Sequence, residues 1–262
     1  MFEKLTTQEE KPVEAEKEIR LEEVAELEKP IKKIIEKIKD RIENGEYGLI
    51  IGDDASGRIP ARILGDFIRE ISKIKGLYQP NTIFIPSKLQ KGGWFFKEKE
   101  NQQDKFEQHI SKFGAVPNKK ILIITDTVFS GESLKVLTSL IRNAGYDLDI
   151  ATIGQEFDGP LGRPDAFPEE NLRGAQIISG EFEMSEEQKQ KTGWAHTPKI
   201  YANKKMSGVF KSGFKSRKLA DSNYTSDLER DQIQYSIEQS RVDAKKMTNR
   251  LVDWYLQLQN EK

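Results

Sequence analysis

Ile121-Leu-Ile-Ile-Thr-Asp-Thr-Val-Phe-Ser-Gly-Glu-Ser133, continuing into Leu134-Lys-Val-Leu-Thr-Ser-Leu-Ile141, is the stretch around which the chain is organised. Four consecutive apolar β-formers predict a strand buried on both faces, as in a parallel sheet. The polar, Gly-containing turn that follows predicts a loop, and the apolar spacing after it a helix. At a strand–loop–helix junction the first helical N–H groups have no intrahelical partner and point outward with the positive end of the helix dipole. Such a loop is suited to a phosphate. Ser130 and Ser133 add hydroxyl donors, and Gly131 permits close backbone approach. Asp126, at the carboxyl end of the strand, is placed to accept from sugar hydroxyls or to hold magnesium through water.

Working outward, the same arrangement occurs once more upstream. Tyr47-Gly-Leu-Ile-Ile51 predicts a strand, Gly52-Asp-Asp-Ala-Ser-Gly-Arg-Ile-Pro-Ala61 a loop, and Ile63, Leu64, Phe67, Ile68 and Ile71 one face of a helix. Asn81-Thr-Ile-Phe-Ile-Pro86 predicts a strand ended by Pro, Asp149-Ile-Ala-Thr-Ile153 another, and Ala175-Gln-Ile-Ile178 an edge strand. Strands alternating with helices give an α/β fold: a parallel sheet flanked by helices, with right-handed crossovers and ligands at the carboxyl ends of the strands.

The segment 121–133 resembles the phosphoribosyl pyrophosphate signature of the type I phosphoribosyltransferases: four hydrophobic residues, two acidic ones, and a loop ending in Thr-Gly-x-Thr or a Ser variant. Thr125 and Asp126 occupy the acidic pair, and Ser130-Gly131-Glu132-Ser133 the end of the loop. The resemblance covers roughly residues 45–155. It implies that Thr125, Asp126, Thr127, Val128, Phe129, Ser130, Gly131, Glu132 and Ser133 bind the phosphorylated ribose of phosphoribosyl pyrophosphate. Asp126 would be the catalytic carboxylate and would hold Mg2+ through water. Asp54, Ala55, Ser56, Gly57 and Arg58 would form the pyrophosphate loop, in which Ala55 and Ser56 depart from the usual Arg and Gly. The implied reaction displaces pyrophosphate at the anomeric carbon by a nitrogen nucleophile, through a ribose with cationic character. Phe129 stands where purine-salvage members often carry an acid. Thr125 replaces the first carboxylate, so binding is expected to survive and transfer to be slow, with Thr125→Asp raising turnover. A second reading is a non-catalytic nucleotide sensor or scaffold on the same fold, its partner recruited by the C-terminal helix. The polar stretch 87–104, with Gly92-Gly93 and Trp94-Phe95-Phe96, falls where the family has a mobile loop over the reaction centre. An ordinary aromatic-anchored surface loop fits it equally well.

Lys plus Arg total 42 against 43 Asp plus Glu, a net charge of −1 that by itself points to neither a nucleic-acid nor a membrane partner. With no Cys there is no thiolate metal site and no Cys nucleophile, and His109 and His196 are too few for a His-based zinc site. The sequence predicts no membrane span, and a cytoplasmic protein is the expectation. Residues 1–29 carry ten Glu and five Lys or Arg with few large apolar side chains, and read as an acidic flexible tail. The α/β domain is then expected over 30–182, opening with a helix that presents Ile31, Ile34, Ile35, Ile38 and Ile42 on one face. A basic linker or hood follows over 183–222. Between 188 and 220 lie nine Lys or Arg and no acid. An intramolecular role, over an anionic substrate or against the acidic tail, is favoured for it over nucleic acid. Residues 223–262 predict one long helix with Ile233, Ile237, Ser240, Ala244, Met247, Leu251, Trp254 and Leu258 along a seam, packed on its own domain or on a second copy as a homodimer.

Overall fold

The computed structural model describes residues 18–85, 102–155, 172, 174–192, 197–199, 209–212, 215–218 and 227–260. The elements are α1 Glu22–Ala25, α2 Glu28–Lys37, α3 Lys39–Glu43, β1 Tyr47–Asp53, α4 Asp54–Ile74, β2 Asn81–Ile85, α5 Gln102–Lys112, β3 Lys120–Val128, α6 Lys135–Asn143, β4 Leu148–Gln155, β5 Gln176–Ser179, α7 Glu186–Thr192, β6 Val209–Ser212, β7 Lys215–Lys218 and α8 Asp227–Asn260. β1 to β5 form one sheet in the order β2-β1-β3-β4-β5, every pair parallel. The parallel sheet flanked by helices, and the long C-terminal helix, are therefore as expected.

Unbroken apolar runs become central strands because their two side-chain faces enter two separate cores. Leu122 and Ile124 of β3 join Ile50 of β1 in the core beneath α2, α4 and α8. Ile121 and Ile123 join Leu49 and Ile51 on the other face, beneath α5 and α6. Each helix contributes its apolar stripe: Ile63, Phe67 and Ile71 from α4, Phe106 and Ile110 from α5, Leu137 and Ile141 from α6.

At the amino edge a buried acid ties the strand starts together. Asp149 of β4 accepts from Arg41 Nη1 at 2.5 Å and from the Tyr47 hydroxyl at 3.1 Å, with Lys120 at 3.6 Å. Burial, and then the neighbouring Asp149 charge, push the Tyr47 phenol upward, so its proton stays in place.

Two expectations fail here. Residues 18–29 are packed, not a solvated tail. Val24 and Leu27 are fully buried, and the Arg20 and Leu21 N–H groups donate to Asp243 of α8 at 3.0 and 2.8 Å. Tertiary burial supplied by α8 outweighs the acidic composition; residues 1–17 lie outside the described residues. The seam of α8 also differs at its end, since Tyr255 is buried while Trp254 is only half-buried and Leu258 is exposed. The Tyr255 ring meets Phe67 edge-on at 5.4 Å and its hydroxyl donates to Glu43 at 2.8 Å, an option Leu258 lacks. Ala244, Met247 and Leu251 pack against the domain, and the Thr248 hydroxyl donates to the Ile63 carbonyl of α4 at 3.3 Å.

The basic segment meets the acidic one where both are described. Lys199 pairs with Glu22, and its N–H donates to Glu26 at 2.5 Å. Further along, β6 and β7 form an antiparallel hairpin carrying Lys211, Lys215, Arg217 and Lys218. Among the described residues no helix is long and apolar enough to cross a membrane.

Candidate functional site

In a sheet ordered β2-β1-β3-β4-β5 the chain runs outward from β1 in one direction and from β3 in the other. The crevice at the carboxyl ends of these two neighbours is the topological switch point, where ligands bind in folds of this kind. Gly52 of β1 pairs with Ile124 of β3, so the next step along each strand sets Asp53 beside Thr125. Asp53 continues the Leu49–Ile51 side of its strand and Thr125 the Ile121–Ile123 side, hence the two point the same way. The Thr125 hydroxyl lies 3.2 Å from Asp53 Oδ2 and 3.3 Å from Asp126 Oδ1. All three residues are buried. One hydroxyl proton is thus shared between two carboxyl groups, which gathers acceptor oxygens at the crevice.

The loop beyond β3 is shorter than expected. Thr127 and Val128 remain in the strand, paired with Gly154 and Gln155 of β4, because the backbone ladder continues past the apolar run. Thr127 Oγ1 is buried with no hydrogen-bond partner among the described residues. The loop proper begins at Phe129. Ser130 is exposed, and its Oγ accepts from the Glu132 N–H at 3.4 Å. Gly131 adopts φ 71°, where a side chain is strained, and a Cβ there would lie 2.9 Å from Leu172 Cγ. The absence of a side chain therefore lets the turn pack directly on Leu172. The Leu134 N–H donates to the Gly131 carbonyl at 2.9 Å, a turn that leads into α6. Glu132 is exposed and turned to Lys135 at 3.7 Å, so its carboxylate does not compete with an anion held by the loop. Ser133 is half-buried beside it.

The upstream segment is helix, not loop. α4 begins at Asp54 with Asp53 as its N-cap residue, so Asp54, Ala55, Ser56, Gly57 and Arg58 form its first turn and a half. Asp53 makes no side-chain capping bond, its carboxylate being turned to Thr125 instead. Gly57 explains how a helix starts so early: a Cβ would lie 2.8 Å from the Ile124 carbonyl oxygen and 3.2 Å from Thr125 Cα, so only Gly lets the helix pack directly on β3. The Arg58 guanidinium lies over the Phe84 ring of β2, 4.7 Å from its centroid, on the flank of the crevice. Two helix N-termini, of α4 and α6, and two buried carboxylates thus share one edge.

Of the residues singled out from the sequence, 125–133 follow one another through the β3–α6 junction, and 54–58 open α4, whose Gly57 packs on Ile124 and Thr125. Asp53 was missed. Its signal was the register of two adjacent strands, which sets residue 53 against residue 125. The aromatic stretch, for which a closing loop and an ordinary surface loop fit equally, falls from 87 to 101 outside the described residues, while Gln102–Asp104 open α5. A cleft of about 800 Å3 at the opposite, amino edge is bordered by Lys119, Lys120 and Arg142. These cations are held by the fold: Lys119 by the Gly45 carbonyl, Lys120 by Asp149, and Arg142 by Asp147 at 3.8 Å.

No family model matches the chain. Among curated proteins it is similar to the transcriptional regulator GfcR of Methanobrevibacter smithii, at 26% identity over 113 residues. That match takes in 43% of this chain and 50% of the relative, so the chain spans about half the length of the protein it resembles.

Proposed function

We propose that this protein binds phosphoribosyl pyrophosphate, or a related phosphorylated ribose, with magnesium at the β1/β3 switch point, in the manner of a type I phosphoribosyltransferase-like domain. The observation that carries the reading is the pairing, at one sheet edge, of the Gly131-containing turn before α6 with the buried carboxylate Asp126. In it the 5-phosphate takes the N–H groups of residues 129–133, and the ribose hydroxyls donate to Asp126. Among the described residues no three His, Asp or Glu side chains converge as a metal cage. The donors present still fit Mg2+, which commonly uses one or two carboxylates, water and the ligand's own phosphates. Asp126 would hold it through water, and bound Mg2+ would neutralise charge on the leaving pyrophosphate. The protein's own part is then to hold the sugar and stabilise positive charge at its anomeric carbon as pyrophosphate departs, by the nearby carboxylates.

Calorimetry with phosphoribosyl pyrophosphate, with and without Mg2+, tests the site. Binding should need magnesium and should vanish in Ser130→Ala/Gly131→Val, which removes a hydroxyl and puts a strained, branched side chain against Leu172. Unchanged affinity in that variant would refute the site.

A second reading, from another class, is a ligand sensor without transfer. The similarity to a transcriptional regulator favours it, as does the first half of α8, which exposes Tyr235 and Val242 at 59% and 49% to a partner. Single-turnover release of pyrophosphate with a panel of bases and amines separates the two, since a sensor releases none.

A further inference from the structure

Resting on that ligand site, we propose that Asp53 is its second carboxylate, supplied from β1 in place of the one absent at 125, and that with Asp126 it selects ribose over 2-deoxyribose.

The argument begins with what Thr125 does. Its one hydroxyl proton is directed at Asp53 and Asp126, at 3.2 and 3.3 Å, so it has none left for a ligand and can only accept. A ligand hydroxyl entering this crevice therefore meets acceptors: Asp53, Asp126 and the Thr125 lone pairs. Vicinal sugar hydroxyls are two donors in fixed geometry and match them; a sugar lacking one makes one hydrogen bond to a carboxylate fewer. The position of Asp53 is dictated by the fold. Register sets it beside Thr125, Gly57 lets α4 start against the Ile124–Thr125 backbone directly after it, and the helix N-terminus that it precedes favours its charge. An N-cap Asp would ordinarily turn its carboxylate onto the first helical N–H groups, and here it does not. Thr127, one step further on the same side of β3, adds a buried hydroxyl with no partner among the described residues.

This arrangement reverses the expectation drawn from the signature alone. Asp at 125 would restore the usual pair in β3, but it would set a third carboxylate against Asp53 and Asp126. Thr125→Asp should therefore weaken binding, and Asp53→Asn/Thr125→Asp, which returns the count to two, should recover it.

The test is calorimetry at fixed Mg2+ with ribose 5-phosphate and with 2-deoxyribose 5-phosphate, each variant's fold being checked by circular dichroism. The parent should prefer the ribose form by about tenfold or more, the scale of one hydrogen bond to a charged acceptor. Asp53→Asn should bring the two sugars within about twofold of each other while still binding the phosphate, and the double variant should restore the preference. A preference that persists in well-folded Asp53→Asn overturns the proposal, as does a parent that binds both sugars equally. Should Asp53→Asn not fold, the double variant decides: loss of the preference there refutes the charge-count argument. A parent that binds neither sugar refutes the phosphate site itself, and Asp53's role with it.

Discussion

Replacing Asp243 by Ala should unlock the N-terminal arm from α8. The carboxylate is fully buried and accepts from three donors: the N–H groups of Arg20 and Leu21, at 3.0 and 2.8 Å, and the side-chain amide of Gln239, at 2.8 Å. A hydrogen bond to a charged group is worth roughly 1.5–3 kcal/mol, but three on one carboxylate are not additive, because the N–H groups regain water when the arm loosens. A net loss of about 3–5 kcal/mol is expected, a large share of the roughly 5–15 kcal/mol that holds a domain together. With a urea slope near ~2 kcal/mol/M, the unfolding midpoint should fall by about 1.5–2.5 M. Circular dichroism in urea measures this, and limited trypsin reports the arm directly, since cleavage after Arg20 should become fast in the variant under native conditions. Asp243→Asn keeps the shape and one acceptor, so its loss should be smaller. A midpoint shift below ~0.3 M in Asp243→Ala, with Arg20 no more accessible than in the parent, would refute the reasoning and return residues 18–29 to the status of a tail.

Leu251→Asp puts a charge at a fully buried position beneath α8 and should cost more than about 4 kcal/mol; a variant with the parent's melting temperature would mean that α8 does not seal the core. Glu26 gives a pH signature. Burial pushes its carboxyl up to about 7, against the lowering effect of the Lys199 N–H and ammonium. The folded state therefore holds the proton more tightly than the unfolded one, and this residue's contribution to stability declines as pH rises from about 4.5 to 7. Glu26→Gln, which is neutral throughout, should match the parent near pH 4.5 and exceed it by roughly 1–2 kcal/mol at pH 8, allowing for solvent screening at this half-buried site. Melts at the two pH values check it, and an equal gain at both would contradict the assignment.

The sheet was legible because its strands are apolar on both faces: Ile121–Ile124 and Leu49–Ile51 have only one way to be buried on two sides at once. The junction after β3 was legible for a local reason, the change from apolar run to Ser130-Gly131 to helical spacing. What lay beyond reach depends on partners distant in sequence. Val24 and Leu27 look isolated among glutamates until α8, more than two hundred residues later, covers them and Asp243 takes the arm's N–H groups. Asp54–Arg58 read as a loop because the resemblance puts a pyrophosphate loop there, whereas Gly57 is what allows α4 to start against β3. Asp53 reads as one of two acids in a turn; only the register of β1 against β3 shows which of them meets Thr125.

The central claim is a location, a phosphorylated ribose held at the carboxyl edge between β1 and β3, and amide hydrogen exchange tests it most directly. With phosphoribosyl pyrophosphate and Mg2+ added, the amides of Phe129–Ser133 and of the first turn of α4 should become more protected, while those of Asn118–Lys120 at the opposite edge should not change. Protection confined to the amino edge or to the basic hairpin 209–218, with residues 129–133 exchanging as before, would contradict the claim.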